Sequence, residues 1–137
     1  MIEENNLTVD EFLSIIETVG WKQPSKRQLE IALKNCLTVK FVKDGKTIAM
    51  ARAITDSAYM TLIADVIVVP EYQHQGIGKL LINNLLERIK SSLQPGEESI
   101  VELLAAPNKT PFYEKFGFKN KKEFVESGMY TWLKKEN

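Results

Sequence analysis

The sequence of 137 residues contains one cysteine, one histidine and no excess of charge, with 18 basic and 18 acidic residues. A single cysteine excludes an internal disulfide framework and a cysteine-based zinc site. A single histidine excludes metal sites that need two or three imidazole ligands, and we expect no metal. The balanced charge provides no overall field that would attract nucleic acid or an anionic membrane, and we expect neither as a partner.

Long hydrophobic runs are also missing. No apolar stretch approaches the roughly 18 residues that a membrane-spanning helix needs, and the first residues lack the basic and apolar regions of a signal peptide. We therefore expect a cytoplasmic protein. The hydrophobic share of 44% and the charged share of 26% are ordinary for globular proteins. The length fits a single domain over residues 1–137.

Two capping boxes predict two helices at the start of the chain. In such a box a hydroxyl side chain satisfies a free amide of the first helical turn, and a glutamate or glutamine three residues later reaches back. Thr8 with Glu11 forms the first pattern and Ser25 with Gln28 forms the second. Apolar residues at helical spacing follow each box, and Cys36 lies on the apolar face predicted for the second helix.

The next segment predicts three strands. Asp44-Gly45 is a strong hairpin signal between strands at 38–43 and 46–54. The third run, 59–69, is almost continuously apolar. This pattern is typical of a central strand that is buried on both faces.

The last part of the chain alternates helices and strands. We expect a helix from Gly78 to about Leu93, and a strand over 99–105. A short helix should follow, with Thr110 as its cap, Pro111 as its first residue and Phe116 near its end. A final strand pair is predicted within 118–122 and 127–134. This order indicates an α/β or α+β domain around one mixed sheet.

The segment Gln73-His74-Gln75-Gly76-Ile77-Gly78-Lys79 joins the predicted central strand to the long helix. Two alternate glycines let the backbone approach a ligand closely, and the free amides of a helix N-terminus favour an anion such as a pyrophosphate. The dinucleotide fingerprint fails because Leu81 stands where a third glycine is needed. The Walker loop fails at Gln73 and Leu80.

Two motifs together carry a resemblance to a known family. The segment 73–78 and the later Phe-Tyr-Glu-Lys-Phe-Gly-Phe of 112–118 resemble the GNAT superfamily of acetyl-CoA-dependent N-acetyltransferases, and the resemblance covers about residues 38–134. It implies a mixed, mostly antiparallel central sheet flanked by helices. It also implies direct transfer of an acetyl group from acetyl-CoA to a primary amine of a small molecule.

The resemblance assigns cofactor roles to three segments. The strand end Val66, Ile67 and Val68 would pair its backbone with the pantetheine arm, and an amide there would polarise the thioester carbonyl. The pyrophosphate would be held by the loop residues Gln73, His74, Gln75, Gly76, Ile77, Gly78 and Lys79. The His74 imidazole itself is interpreted as a solvated side chain. Asn108 departs from the family spacing, so it is either a pantetheine ligand or a loop or helix-cap residue.

The resemblance also places Tyr113 at the general-acid position, where it would protonate the departing CoA thiolate. A carboxylate inside an apolar strand is costly unless something uses it, so Asp65 is the candidate base or amine anchor. The alternative for Asp65 is a structural ion pair or a capped carboxylate. Trp21 and Met129 could wall the acceptor pocket, or each could be a core residue. Packing explains Cys36 better than nucleophilic chemistry does.

Other functions stay open at the level of the sequence. The domain could be a non-catalytic acyl-CoA-binding module that regulates or interacts, or it could acetylate aminoacyl-tRNA, although the zero net charge disfavours the latter. Nothing in the sequence selects the acceptor amine. A homodimer, which is common in the family, is compatible with the final strand and the helices.

Overall fold

The computed structural model describes all residues, 1–137, and divides into two compact units, Met1–Leu103 and Leu104–Asn137. The first unit holds five strands: β1 (Ile2–Glu4), β2 (Leu37–Lys43), β3 (Lys46–Thr55), β4 (Met60–Val68) and β5 (Ile100–Leu103). It also holds three α-helices: α1 (Val9–Thr18), α2 (Lys26–Lys34) and α3 (Ile77–Ser91). The second unit holds the helix α4 (Thr110–Glu114).

The five strands form one sheet in the order β1-β2-β3-β4-β5. The first three pairings are antiparallel, and β4 pairs with β5 in parallel. A parallel pair needs a crossover connection, and α3 supplies it. The mixed, mostly antiparallel sheet flanked by helices is confirmed. β1 was not predicted, because three residues at the start of a chain are too few to show an alternating pattern.

The local signals near the start fold as expected. The Thr8 hydroxyl accepts from the Glu11 amide at 3.1 Å, and the Glu11 carboxylate accepts from the Thr8 amide at 2.9 Å. Ser25 and Gln28 form the same reciprocal pair. In the hairpin, Asp44 and Gly45 both have positive φ, 50° and 75°. That combination matches the type I′ turn which suits twisted strands.

The helices cover both faces of the sheet. One face packs under α1 and α2, and its cluster contains Leu7, Phe12, Ile15, Ile16, Leu29, Met50, Ile67 and Val69. The buried stripe of α3, with Leu81, Ile82 and Leu85, packs against β2, β3 and β4 on the other face. None of the helices combines the length and the apolar character that a membrane crossing requires.

The position of the most buried strand was predicted wrongly. β4 alternates over its first half: Thr61 and Ile63 are buried, whereas Met60 and Leu62 are exposed. The continuously buried stretch lies in the middle of β3, over 48–51. A continuous apolar run does not reveal which strand has helices on both sides, because that depends on distant elements.

The second unit departs further from expectation. The cap of α4 is Lys109 rather than Thr110, and Thr110 is already helical. The strand pair predicted within 118–122 and 127–134 does not form. Met129, Tyr130 and Leu133, which gave the last segment its strand-like pattern, are almost fully exposed. β-propensity expresses packing against a neighbouring strand, and this segment has no such neighbour.

A half-buried charge network fixes α1 on the sheet. The Lys40 ammonium, on β2, donates to both carboxylate oxygens of Glu11 at 2.9 Å and to the Asn6 carbonyl at 3.2 Å. The Thr47 hydroxyl donates to the same carboxylate. Burial raises the pKa of Glu11, but hydrogen bonds from Thr47, Thr8 and Lys40 lower it by more, and its pKa falls from 4.5 to about 2. Glu11 therefore stays ionised well into acid.

We expect Glu11→Gln to destabilise the protein at pH 7 by about 1–3 kcal/mol, because the buried Lys40 ammonium loses its counter-charge. A carboxyl group with a lowered pKa contributes its full stabilisation above about pH 4.5, and the contribution is lost as the pH falls towards 2. The free energy of unfolding of the wild type should therefore fall between pH 4.5 and pH 2, and that of the variant should fall less. Urea unfolding at a series of pH values measures both effects.

The matched control is Glu17→Gln, an exposed change on the same helix, which should leave the stability within about 0.5 kcal/mol. Equal effects of the two substitutions would show that the network contributes nothing specific.

Candidate active site

The second half of β4 has a partner on one side only. Its pairing with β5 ends at Ile63↔Leu103, while β4 itself continues to Val68. On the other side it remains paired with β3 up to Ala49↔Val68. No strand therefore pairs with residues 64–68 on the β5 side. Such an edge can pair with an extended chain that carries amide groups.

A bulge interrupts β4 at the start of this edge. The register passes from Arg52↔Ala64 to Met50↔Ile67, so β4 holds one residue more than β3 between these pairs. Asp65 lies there with a φ of 54°, in the left-handed region. A bulge of this kind bends a strand and turns its backbone groups. It changes the directions in which the amides beside Asp65 point.

The Asp65 side chain is paired. Its carboxylate accepts a hydrogen bond from Nε of Arg52, on β3, and the Arg52 and Asp65 side chains are 20% and 19% exposed. The Arg52 guanidinium also lies 6.0 Å from the centre of the Phe12 ring, on α1. Burial lowers the pKa of Arg52, but Asp65 and Cys36 raise it by more, so the guanidinium stays charged. The ion pair is the alternative that the sequence left open for Asp65, and Arg52 was missed as its partner.

Cys36 belongs to the same cluster, and the prediction that it lies on the second helix is wrong. It lies beyond the end of α2, half-buried, beside Arg52. Burial raises the pKa of its thiol, although Arg52 opposes this. The thiol is therefore protonated at neutral pH and a poor nucleophile.

The glycine loop lies between β4 and α3. A short 3-10 helix, Pro70–Tyr72, comes first, and then the Gln73 side-chain amide donates to the Val68 carbonyl at 3.0 Å. Gly76 caps α3 with a φ of 81°, and no side chain bonds to the first-turn amides. A Cβ on Gly76 would meet no atom within 4 Å. The helix therefore presents free amides beside open space, as an anion site needs.

The loop residues differ in what they can offer a ligand. Ile77 is buried, so only its backbone amide is available. Lys79 is exposed in the first turn of α3, where a positive charge opposes the helix dipole. The remaining predicted loop ligands, Gln73, His74, Gln75 and Gly76, are exposed, and Gly78 is partly buried.

Tyr113 lies in the second unit, on α4. Its ring contacts Phe112 and Phe118 edge to face, with ring centres 5.0 and 6.1 Å apart. Burial raises the pKa of the Tyr113 phenol above its ordinary value of 10. The phenol therefore holds its proton at neutral pH, which a general acid requires.

The other candidates lie in less defined surroundings. Asn108 is exposed, with a φ of 66°, in the turn before α4. This conformation is typical of asparagine in turns. Trp21 follows α1 and is 45% exposed, and Met129 is 90% exposed in the second unit. Their predicted roles at the cofactor or acceptor stay predictions.

Comparison with known proteins identifies the family. A family model described as an acetyltransferase (GNAT) domain matches residues 3–133. The chain belongs to the GNAT acetyltransferase family. Relatives and structural neighbours carry the name N-acetyltransferase or acetyltransferase.

Three similar proteins illustrate the range of the family. The uncharacterised N-acetyltransferase ycf52 of Pyropia yezoensis is 31% identical over 118 residues, which cover 82% of this chain and 66% of that protein. The chloroplastic GCN5-related N-acetyltransferase 1 of Arabidopsis thaliana is 29% identical, over 96% of this chain and 66% of that protein. A Staphylococcus aureus structure, described as a probable acetyltransferase, superposes with a TM-score of 0.84 at 25% identity, over 97% of this chain and 100% of that chain. This GNAT chain thus spans just under two thirds of the length of the two curated relatives.

We expect Gly76→Trp to abolish detectable acetyl-CoA binding or to weaken it at least about tenfold, or ~1.4 kcal/mol. The indole would fill the open space in front of the first-turn amides of α3. Titration calorimetry with acetyl-CoA measures the effect.

The matched control is Gly96→Trp. Gly96 also has a positive φ, 87°, and a Cβ on this glycine would likewise meet no atom within 4 Å. Both substitutions force a bulky residue into the left-handed region, so Gly96→Trp reports the effect of that strain alone and should keep wild-type affinity. Wild-type acetyl-CoA affinity in Gly76→Trp would exclude the loop as the cofactor site.

Proposed function

We propose that this GNAT chain transfers an acetyl group from acetyl-CoA to a primary amine of a small molecule, by direct attack of the amine on the thioester. The observation that carries the proposal is the unpaired edge of β4, followed at once by a glycine loop and an uncapped helix N-terminus. The β4 edge presents backbone amides along an extended strand. The N-terminus of α3 presents the free amides of its first turn close together.

The two features fit the two halves of the cofactor. The pantetheine arm contains amide groups that can pair with the backbone of Val66 and Val68 as another strand would. The pyrophosphate suits the free amides and dipole of α3, with Lys79 adding a positive charge. Acetyl-CoA supplies the activated acyl group. The backbone of the β4 edge and of the glycine loop would hold it, and an amide at the strand end would polarise its carbonyl.

The acceptor must reach the site as a neutral amine, because an ammonium has no lone pair. Asp65 was predicted as base or anchor, and this role stays a prediction. Arg52 already neutralises much of its charge, which makes the carboxylate a weaker base. Solvent water is the alternative acceptor of the proton, and the amine then needs no dedicated basic residue.

Tyr113 is proposed to donate its proton to the CoA thiolate as the carbon–sulfur bond breaks. Its raised pKa keeps the phenol protonated at neutral pH. A free thiol has a pKa of about 8.5, so the thiolate alone would not remove the proton readily. The advantage of the phenol is a proton held at the right place, which is the usual benefit of a positioned acid.

The first experiment is calorimetric titration with acetyl-CoA, followed by a thiol-release assay with a panel of amines. Binding at one site per chain together with thiol release on some amine supports the proposal. Tight binding without thiol release on any amine would indicate a non-catalytic acyl-CoA-binding module instead. No binding at millimolar acetyl-CoA would refute both functions.

We expect Tyr113→Phe to lower kcat by about 10²–10⁴-fold, the usual contribution of a general acid, and to leave acetyl-CoA affinity nearly unchanged. Tyr59→Phe removes a hydroxyl from an exposed tyrosine in the first unit and should not change kcat. Steady-state kinetics and calorimetry of both variants test the assignment. Full activity of Tyr113→Phe would remove this tyrosine from the mechanism.

A further inference from the structure

We infer that the Arg52–Asp65 ion pair is a positioning device, which fixes the bulge of β4 and thereby the direction of the amides that meet the thioester carbonyl. The inference deepens the proposed acetyl transfer and rests on it. It assigns to Arg52 a role that the sequence did not suggest, and it gives the Asp65 carboxylate a structural partner in place of a substrate.

Backbone conformation is the first argument. Asp65 adopts a φ of 54° inside a strand, and the left-handed region is unfavourable for an L-residue because its Cβ crowds the following carbonyl oxygen. Such a conformation persists only where the surroundings enforce it. Asp65 is one of the two residues, 65 and 66, that lie between the pairs Arg52↔Ala64 and Met50↔Ile67 against a single residue of β3, so its conformation is part of the bulge.

The Arg52–Asp65 pair also connects the bulge of β4 to the neighbouring strand β3. Arg52 lies on β3 opposite Ala64, at the last regular position before the extra residue. Its Nε donates to the Asp65 carboxylate, so the side chain of the bulged residue is tied back to the neighbouring strand. In a regular strand without the bulge, the side chain of residue 65 would point in another direction, and its hydrogen bond with Arg52 would be lost.

Arg52 itself contacts two further parts of the chain, α1 and the segment between α2 and β2. Its guanidinium lies over the Phe12 ring of α1 and beside the Cys36 sulfur. Phe12 is buried, at 3% exposure, in the cluster that joins α1 and α2 to the sheet. The bulge is therefore connected through Arg52 to the packed face of the unit, so its position is not free to relax.

The test separates a positioning pair from a catalytic carboxylate. Asp65→Gly removes the carboxylate but accepts positive φ without cost, whereas Asp65→Ala removes the carboxylate and resists positive φ. We expect Asp65→Gly to retain at least about tenfold more kcat than Asp65→Ala, the equivalent of ~1.4 kcal/mol. If Asp65 is the base, the two variants should be equally impaired, and this result would overturn the inference.

Variants of Arg52 test the other partner. Arg52→Met should lower kcat by about 10–100-fold, the range expected for a small misplacement of a reacting group. The acetyl-CoA Kd should change by a smaller factor than kcat, because the phosphate-binding amides lie on α3 and only the pantetheine contacts of the β4 edge depend on the bulge. Arg52→Lys, which keeps the charge but not the guanidinium fork, should fall between Arg52→Met and the wild type. Wild-type kcat in Arg52→Met would refute the role.

Adding Asp65→Gly to Arg52→Met provides the sharpest comparison. Since glycine holds the bulge without a partner, the double variant should recover part of the kcat lost in Arg52→Met alone. Arg27→Met is the matched control: it makes the same substitution at an exposed arginine of α2, outside the ion pair, and it should keep wild-type kcat. A double variant no better than Arg52→Met would contradict the inference.

A readout independent of activity distinguishes this inference from the proposed function. The bulge in the protein without ligand is reported by two signals: the deviation of the residue 65 Cα chemical shift from the random-coil value of that residue type, and the hydrogen exchange of the Val66 amide. We expect Asp65→Gly to keep the wild-type pattern, and Asp65→Ala and Arg52→Met to lose it. An unchanged bulge in all three variants would refute the inference even in an active enzyme. If the wild type transfers acetyl to no amine, the acetyl-transfer proposal fails, and these spectra still decide whether the pair fixes the bulge.

Discussion

The constraint on which this structure depends is that β4 pairs on both sides for only part of its length. Beyond Ile63 its backbone has β3 on one side and no strand on the other. Unpaired strand edges are a liability that proteins usually cover or disrupt. In this chain the unpaired edge belongs to β4, whose other side is hydrogen-bonded to β3. The edge therefore offers its hydrogen-bonding groups from a strand that β3 holds in place. The parallel crossover through α3 makes this possible, because the strand that returns beside β4 ends after four paired positions.

The same crossover brings the second binding element to the end of the edge. α3 begins shortly after β4 ends, and Gly76 starts the helix without a side-chain cap. The Gln73 amide bonds to the Val68 carbonyl, so the loop is attached to the end of the strand. The chain from β4 to α3 therefore provides first the backbone amides of a strand edge and then the free amides of a helix N-terminus. A long cofactor with an amide-containing arm and a pyrophosphate needs both in this order.

The sequence predicts those parts of the protein that local chemistry determines. Two capping boxes, the Asp44-Gly45 turn and the glycine loop each depend on neighbouring residues, and each forms as expected. The parts that depend on distant partners were not predicted. The bulge at Asp65 arises from a register between β3 and β4, and the ion pair joins residues 13 positions apart. The strand pair expected after Phe118 failed for the same reason, since an alternating pattern does not supply a neighbour.

The energetics of the Arg52–Asp65 pair favour a geometric role over a stabilising one. Both side chains are largely withdrawn from water, and the cost of desolvating two charges offsets most of their attraction. Apolar residues of similar volume at such positions are often at least as stable. The pair differs from an apolar contact in being directional, because the guanidinium must meet the carboxylate in one orientation. A strand that has to keep one residue in left-handed conformation needs such directionality. The Glu11–Lys40 network joins α1 to β2, but neither of its charged residues has a positive φ. Of these two ion pairs, only the one at Asp65 includes a residue with positive φ, and that residue lies at the bulge of β4.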